Sequence, residues 1–156
     1  MGTASTLPAD FTAGDLRLAI VASRYNDNIV AALIEGARST WRARGGADSA
    51  LRLERVPGAF ELPLAARALA QSGVDAVVAL GCVIRGETAH FDYIAATCAH
   101  GLQRAMLETG VPISFGVLTV NTLGQALERA AADSANKGAE ALETALAMAT
   151  LLRRLK

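Results

Sequence analysis

Cysteine, histidine and one-sided charge are all scarce in this sequence, and each scarcity removes a class of function. The 156 residues include 2 cysteines and 2 histidines. Cys82 and Cys98 lack metal-ligand spacing and sit among apolar residues, so they read as reduced, buried thiols and not as a disulfide framework or a zinc site. Basic and acidic residues balance at 15 each, and the aromatic residues, 4% of the chain, are not interleaved with basic ones. No nucleic-acid or anionic-membrane surface is expected, and any anion must be bound at a local site. No apolar run approaches the roughly 20 residues needed to span a bilayer. Residues 1–14 have neither the basic start nor the apolar core of a secretory signal, and a cytoplasmic location is the expectation. Internal repeats, low-complexity blocks and linkers are also missing, which leaves one domain over residues 16–156 behind a loose N-terminal arm, residues 1–15.

What the chain has in plenty is apolar: 52% hydrophobic residues against 19% charged. This excess predicts that sister subunits cover some of its surface. The β-branched run 16–23 fits a strand buried on both faces. Asn26, Asp27 or Asn28 can cap the next segment, whose Val30, Leu33, Ile34, Ala37 and Trp41 recur at helical spacing before Gly45 and Gly46. Residues 51–56 alternate like a half-exposed strand, and 60–71 read as a helix with Pro63 in its first turn. Residues 76–83 form the clearest buried strand; the stripe Ile94, Cys98, Leu102 and Met106 marks the helix after it. A strand over 113–120 and helices over 124–132 and 139–155 complete the chain, with 132–138 as a polar hinge. The alternation predicts an α/β, three-layer αβα sandwich of the flavodoxin-like kind. Its four-stranded parallel sheet carries helices on both faces, because each right-handed crossover packs its helix back on the sheet. The sheet edges need cover, which the N-terminal arm could supply on a neighbouring subunit.

Ligands of such sheets bind beyond the carboxyl ends of the strands, where helix N-termini offer free amides to anions. The loops there carry Tyr25-Asn26-Asp27, Gly58-Ala59-Phe60-Glu61, Arg85-Gly86-Glu87-Thr88-Ala89-His90 and Asn121-Thr122. Two rings, a carboxylate, a hydroxyl and an imidazole on one rim suit a flat heterocycle held by stacking and hydrogen bonds. Each residue also has a plainer reading. Tyr25 can staple helix to sheet, Phe60 can be core, Glu61 can complement a helix dipole, Thr88 can cap a helix, and His90 can be a surface residue. Arg129 and Lys137 can be solvated charges or can meet a phosphate together; His100, within a helix, reads as structural.

Taken together, Gly58–Glu61, Gly81–Tyr93, Phe115–Thr119, Glu128–Ala130 and Asn136–Gly138 resemble, in order, the motifs of the lumazine synthase family. The resemblance covers residues 16–152. It implies condensation of 5-amino-6-(D-ribitylamino)uracil with 3,4-dihydroxy-2-butanone 4-phosphate, without metal or organic cofactor. By the same resemblance, Tyr25 stacks on the pyrimidine, Ala59, Phe60 and Glu61 hold the ribityl chain, and Cys82, Val83 and Ile84 meet the uracil edge through backbone groups. Glu87, Thr88 and Arg129 bind phosphate, Lys137 lies near the same pocket, Phe115 enters the adjacent subunit's site, and His90 transfers protons. A homopentamer with sites between subunits is implied, and the short hinge resembles that of members forming a sixty-subunit icosahedral shell. A functional link to riboflavin synthase is implied as well. An archaeal-type riboflavin synthase or a non-catalytic flavin-binding shell would share the architecture. A receiver domain would need an aspartate at the end of the third strand, where this chain has Gly81 and Cys82.

Overall fold

In the computed structural model, which describes residues 11–156, the order is β1 (Leu18–Ser23), α1 (Asp27–Ala43), β2 (Leu51–Val56), α2 (Leu62–Ala70), β3 (Ala76–Ile84), α3 (His90–Thr109), β4 (Ile113–Val120), α4 (Leu123–Ala130) and α5 (Lys137–Leu155). All strand pairings are parallel, in the order β2-β1-β3-β4. The expected three-layer α/β sandwich is therefore formed. Alternate side chains of a strand point to opposite faces: Leu18, Ile20 and Ala22 pack with α1, α4 and α5, while Ala19 and Val21 pack with α2 and α3. Central β1 is buried along its whole length, whereas edge strand β2 is mostly half-buried, as its charged alternation anticipates. No helix of the described residues is long and apolar enough to cross a membrane.

The chain departs from the sequence expectation in three places. Residues 1–10 of the expected arm lie outside the described residues, but the segment after them is not loose. Ala13 is fully buried, its N–H donates to the carbonyl of Arg44 at 2.8 Å, and Leu16 is also core. Gly14, at φ +50°, makes the turn that tucks Ala13 beneath the end of α1. A 3₁₀ turn, Ala59–Glu61, precedes α2 and lifts Phe60 out of the expected helix. The third departure is the polar hinge, whose Asn136 is buried.

Asn136 accounts for the earlier start of α5. Its Oδ1 accepts from the N–H groups of Gly138 and Ala139 at 2.9 and 3.1 Å, capping the helix. Its Nδ2 donates to the carbonyls of Ala130 and Ala131, both at 3.0 Å, and of Ala32 at 3.3 Å. One amide thus closes α4 onto α5 and both onto α1, with its donors and acceptor all engaged. Gly36 makes room for it: a Cβ there would lie 2.1 Å from Asn136 Oδ1.

Candidate active site

The sheet reverses its winding between β1 and β3, with α1 on one face and α2 and α3 on the other. A crevice opens at such a switch point. There a cavity of about 640 Å³ is lined by Tyr25, Asn26, Gly58, Ala59, Phe60, Glu61, Cys82, Val83, Ile84, His90 and Ile94. Strand lengths create its floor. β1 pairs with β3 only as far as Ala22 opposite Leu80, whereas β4 follows β3 to Val120 opposite Ile84. Residues 82–84 consequently keep one sheet neighbour and line the cavity. A strand edge without a strand partner offers backbone donors and acceptors in a row.

Two rings flank this floor. Tyr25 is 72% and Phe60 61% exposed, so neither is the core residue or staple that a plainer reading allows. Glu61 Oε2 accepts from the Gly58 N–H at 2.9 Å and closes the turn after β2. A Cβ on Gly58 would lie 3.2 Å from both that oxygen and the Tyr25 ring, so glycine lets ring and carboxylate approach one another. His90 opens α3 at the mouth, with its backbone N–H donating to Thr88 Oγ1 at 3.3 Å. This is a local turn bond and not a helix cap, since Ala89 is the N-cap and carries no side-chain cap bond; Glu87 and Thr88 are exposed and line neither this cavity nor the next.

Burial pushes the Cys82 and Cys98 thiols from an ordinary 9.0 up to about 11, because the thiolate loses hydration. Cys82 therefore stays a neutral thiol near pH 7, an inert part of the floor. With the folded value raised, the associated stability is complete below the unfolded pKa and is lost as pH rises through about 11. At pH 8 the native protein is expected to react with an aromatic disulfide reagent at least about tenfold more slowly than the unfolded chain. Equal rates for native and unfolded protein would contradict this burial.

Not all the expected site residues meet here. Phe115, Arg129 and Lys137 line a different cavity, of about 450 Å³, along edge strand β4 and the start of α5. Arg129 Nη1 donates to the Gln125 carbonyl at 3.0 Å, and Lys137 pairs with Glu140. The loop after β4 reaches the same rim, as expected, but lines neither cavity. Asn121 Oδ1 accepts from Arg85 Nε at 3.1 Å, and Thr122 caps α4 by accepting from the Gln125 N–H. His100 lies exposed on α3 and lines neither cavity.

The residues around the first cavity lie within a stretch of known kind. Residues 15–153 match the family model for 6,7-dimethyl-8-ribityllumazine synthase. The chain belongs to that family. It is 54% identical to the 6,7-dimethyl-8-ribityllumazine synthase of Halorhodospira halophila over 143 residues, covering 91% of this chain and 92% of that one. It is 51% identical to that of Thermus thermophilus, with 96% of each chain covered, and 48% identical to that of Chloroherpeton thalassium, with 96% and 97% covered. The chain is thus an enzyme of the lumazine synthase family, whose members form the lumazine ring.

One lining residue of this lumazine synthase family member, Asn26, is neither among the expected substrate-binding residues nor the side-chain cap that its position suggests. Asn26 is the N-cap of α1, but its side chain does not cap. Its Nδ2 donates to the Cys82 carbonyl at 2.9 Å, tying the end of β1 to the overhanging floor. At φ +55° it is the only described non-glycine residue in the left-handed region, which asparagine tolerates better than most. An asparagine in the short turn between a buried strand and a helix was the available signal.

Proposed function

We propose that the chain condenses 5-amino-6-(D-ribitylamino)uracil with 3,4-dihydroxy-2-butanone 4-phosphate, releasing phosphate and water, in the penultimate step of riboflavin biosynthesis. The observation that carries the reading is the overhanging edge Cys82–Ile84 beneath the exposed rings of Tyr25 and Phe60. A pyrimidinedione has a flat face to stack and an edge of alternating donors and acceptors to match a strand edge. Glu61 and Ala59, at the same mouth, suit the hydroxyls of a ribityl chain. The amine attacks the ketone, water leaves to give an imine, phosphate is eliminated, and closure onto the second carbonyl releases water again. These steps need two substrates held together and protons moved, so proximity supplies most of the rate. An imidazole at the mouth suits the proton transfers. His90→Ala is expected to lower kcat roughly 10²-fold while leaving measurable activity; unchanged kcat would remove the role.

The phosphate half of the reaction needs a cation, and none of the first cavity's lining residues is Lys or Arg. Arg85, nearby, is engaged by Asp92, Asn121 and the Phe91 ring. Arg129 and Lys137 reach the His90 cavity if the β4 edge of one subunit abuts it in a neighbour, with Phe115 entering alongside; Glu87 and Thr88 then frame the phosphate. An interface joining two different surfaces closes into a ring when its rotation closes; by the family resemblance that ring is a homopentamer, assembled in turn into a sixty-subunit shell. Leu64, Tyr93, Leu107, Leu123 and Leu127 are all more than half exposed and supply apolar surface for such contacts. The product then feeds riboflavin synthase in the cytoplasm, where thiols stay reduced.

Mixing the purified protein with both substrates and following lumazine absorbance tests the reading. Phosphate-linked acceleration over the enzyme-free rate is expected. No acceleration, with lumazine or flavin still bound, would replace a synthase with a binding shell. Light scattering separates pentamer from shell.

A further inference from the structure

Among the described residues, no side chain hydrogen-bonds the imidazole of His90. A proton-transferring histidine is ordinarily oriented by a third group. Here the orientation rests instead on where the first turn of α3 stands, and one guanidinium links that turn to the end of β4. Arg85 Nη2 and Nη1 donate to the two carboxylate oxygens of Asp92 at 2.9 and 3.3 Å. Its Cζ sits 4.2 Å from the centroid of the Phe91 ring, and its Nε donates to Asn121 Oδ1 at 3.1 Å. Its own N–H donates to the Val120 carbonyl at 2.8 Å. The residues it grips, Phe91 and Asp92, directly follow His90, while Val120 and Asn121 end the strand that flanks the cavity floor.

Resting on the synthase reading, we propose that Arg85 is a positioning residue for His90. The guanidinium sets the distance between the start of α3 and the β3–β4 floor, and hence between the imidazole and a ring lying on that floor. Lysine cannot replace it, since one ammonium cannot make a two-point contact with Asp92, stack on Phe91 and reach Asn121 together. The ion pair is exposed, 43% on Arg85 and 59% on Asp92; exposed pairs add little to stability. A purely structural Arg85 would therefore matter little, whereas a positioning Arg85 matters to turnover alone.

The experiment is a double-mutant cycle measured by steady-state turnover on wild type, Arg85→Gln, His90→Ala and the double variant, with thermal unfolding alongside. Arg85→Gln is expected to lower kcat about tenfold, to leave both KM values within about twofold, and to shift Tm by about 4 °C or less. In the His90→Ala background the same change is expected to cost less than about twofold, because the group it positions is gone. Arg85→Lys should behave like Arg85→Gln. If Arg85→Gln does not fold, Asp92→Asn cuts the same strut from its other end and enters the cycle instead. Equal losses in both backgrounds, or no loss in either, would overturn the role of Arg85 while leaving the synthase reading standing. Absence of turnover in wild type would sink that reading, and this inference with it.

Discussion

Gly138→Ala is expected to destabilise the protein by on the order of 3 kcal/mol, enough to lower Tm by about 10 °C or to leave the chain insoluble. A Cβ at this position would lie 1.9 Å from the carbonyl oxygen of Leu33 and 2.6 Å from its carbon. These are backbone atoms of α1, so no rotamer change relieves the clash; α1 and α5 must move apart. Their separation would strain the five hydrogen bonds of Asn136, which depend on the same close approach. Gly124→Ala is the matched control. Only Thr122 Oγ1, at 3.8 Å, lies near its added Cβ, and alanine favours a helix by about 1 kcal/mol over glycine. Thermal unfolding of both variants at one protein concentration decides the matter. A Gly138→Ala variant melting with wild type would show that the two helices have room to spare.

The second large effect concerns activity. Tyr25→Ala and Arg129→Ala are each expected to lower kcat/KM by about 10²-fold, the first by removing a stacking face and the second by removing a phosphate partner. Arg129→Ala should act chiefly on KM for the phosphorylated substrate. Tyr25 lies in the cavity beside β1 and β3 and Arg129 in the one beside β4, so the two belong to separate cavities of one subunit. If they meet only across an interface, co-assembly of equal amounts of the two variants restores about one quarter of the wild-type sites. An interface is intact when one subunit keeps Tyr25 and its neighbour keeps Arg129, each with probability of about one half. A site built within one subunit would carry a defect in every copy and recover nothing. Activity of the co-expressed mixture, against the two variants assembled separately, separates these outcomes.

Much of the molecule was legible residue by residue. The run from Ala76 reads as the clearest buried strand and is one, and the stripe Cys98, Leu102 on α3 is buried where a helical period puts it. The rim after the first three strands followed from chain order, since parallel strands place all their carboxyl ends together. The fourth strand also ends at that rim, but Arg85 and the α4 cap engage the side chains of Asn121 and Thr122. Asn136 reads as a polar hinge residue because nothing in its neighbourhood along the chain reveals the carbonyl of Ala32, 104 residues away, that helps to bury it.

The sequence by itself determined the elements, their parallel order around a doubly covered sheet, and the family to which the chain belongs, because burial periodicity, caps and motif spacing act over short stretches of chain. Tertiary structure alone decided which of the candidate residues share a cavity. The floor exists because β3 runs past the end of β1 while β4 keeps pace with it. Arg129 and Phe115 fall into a separate cavity because β4 is a sheet edge. Relative strand length and edge position are properties of the assembled sheet, and no local pattern of residues encodes them.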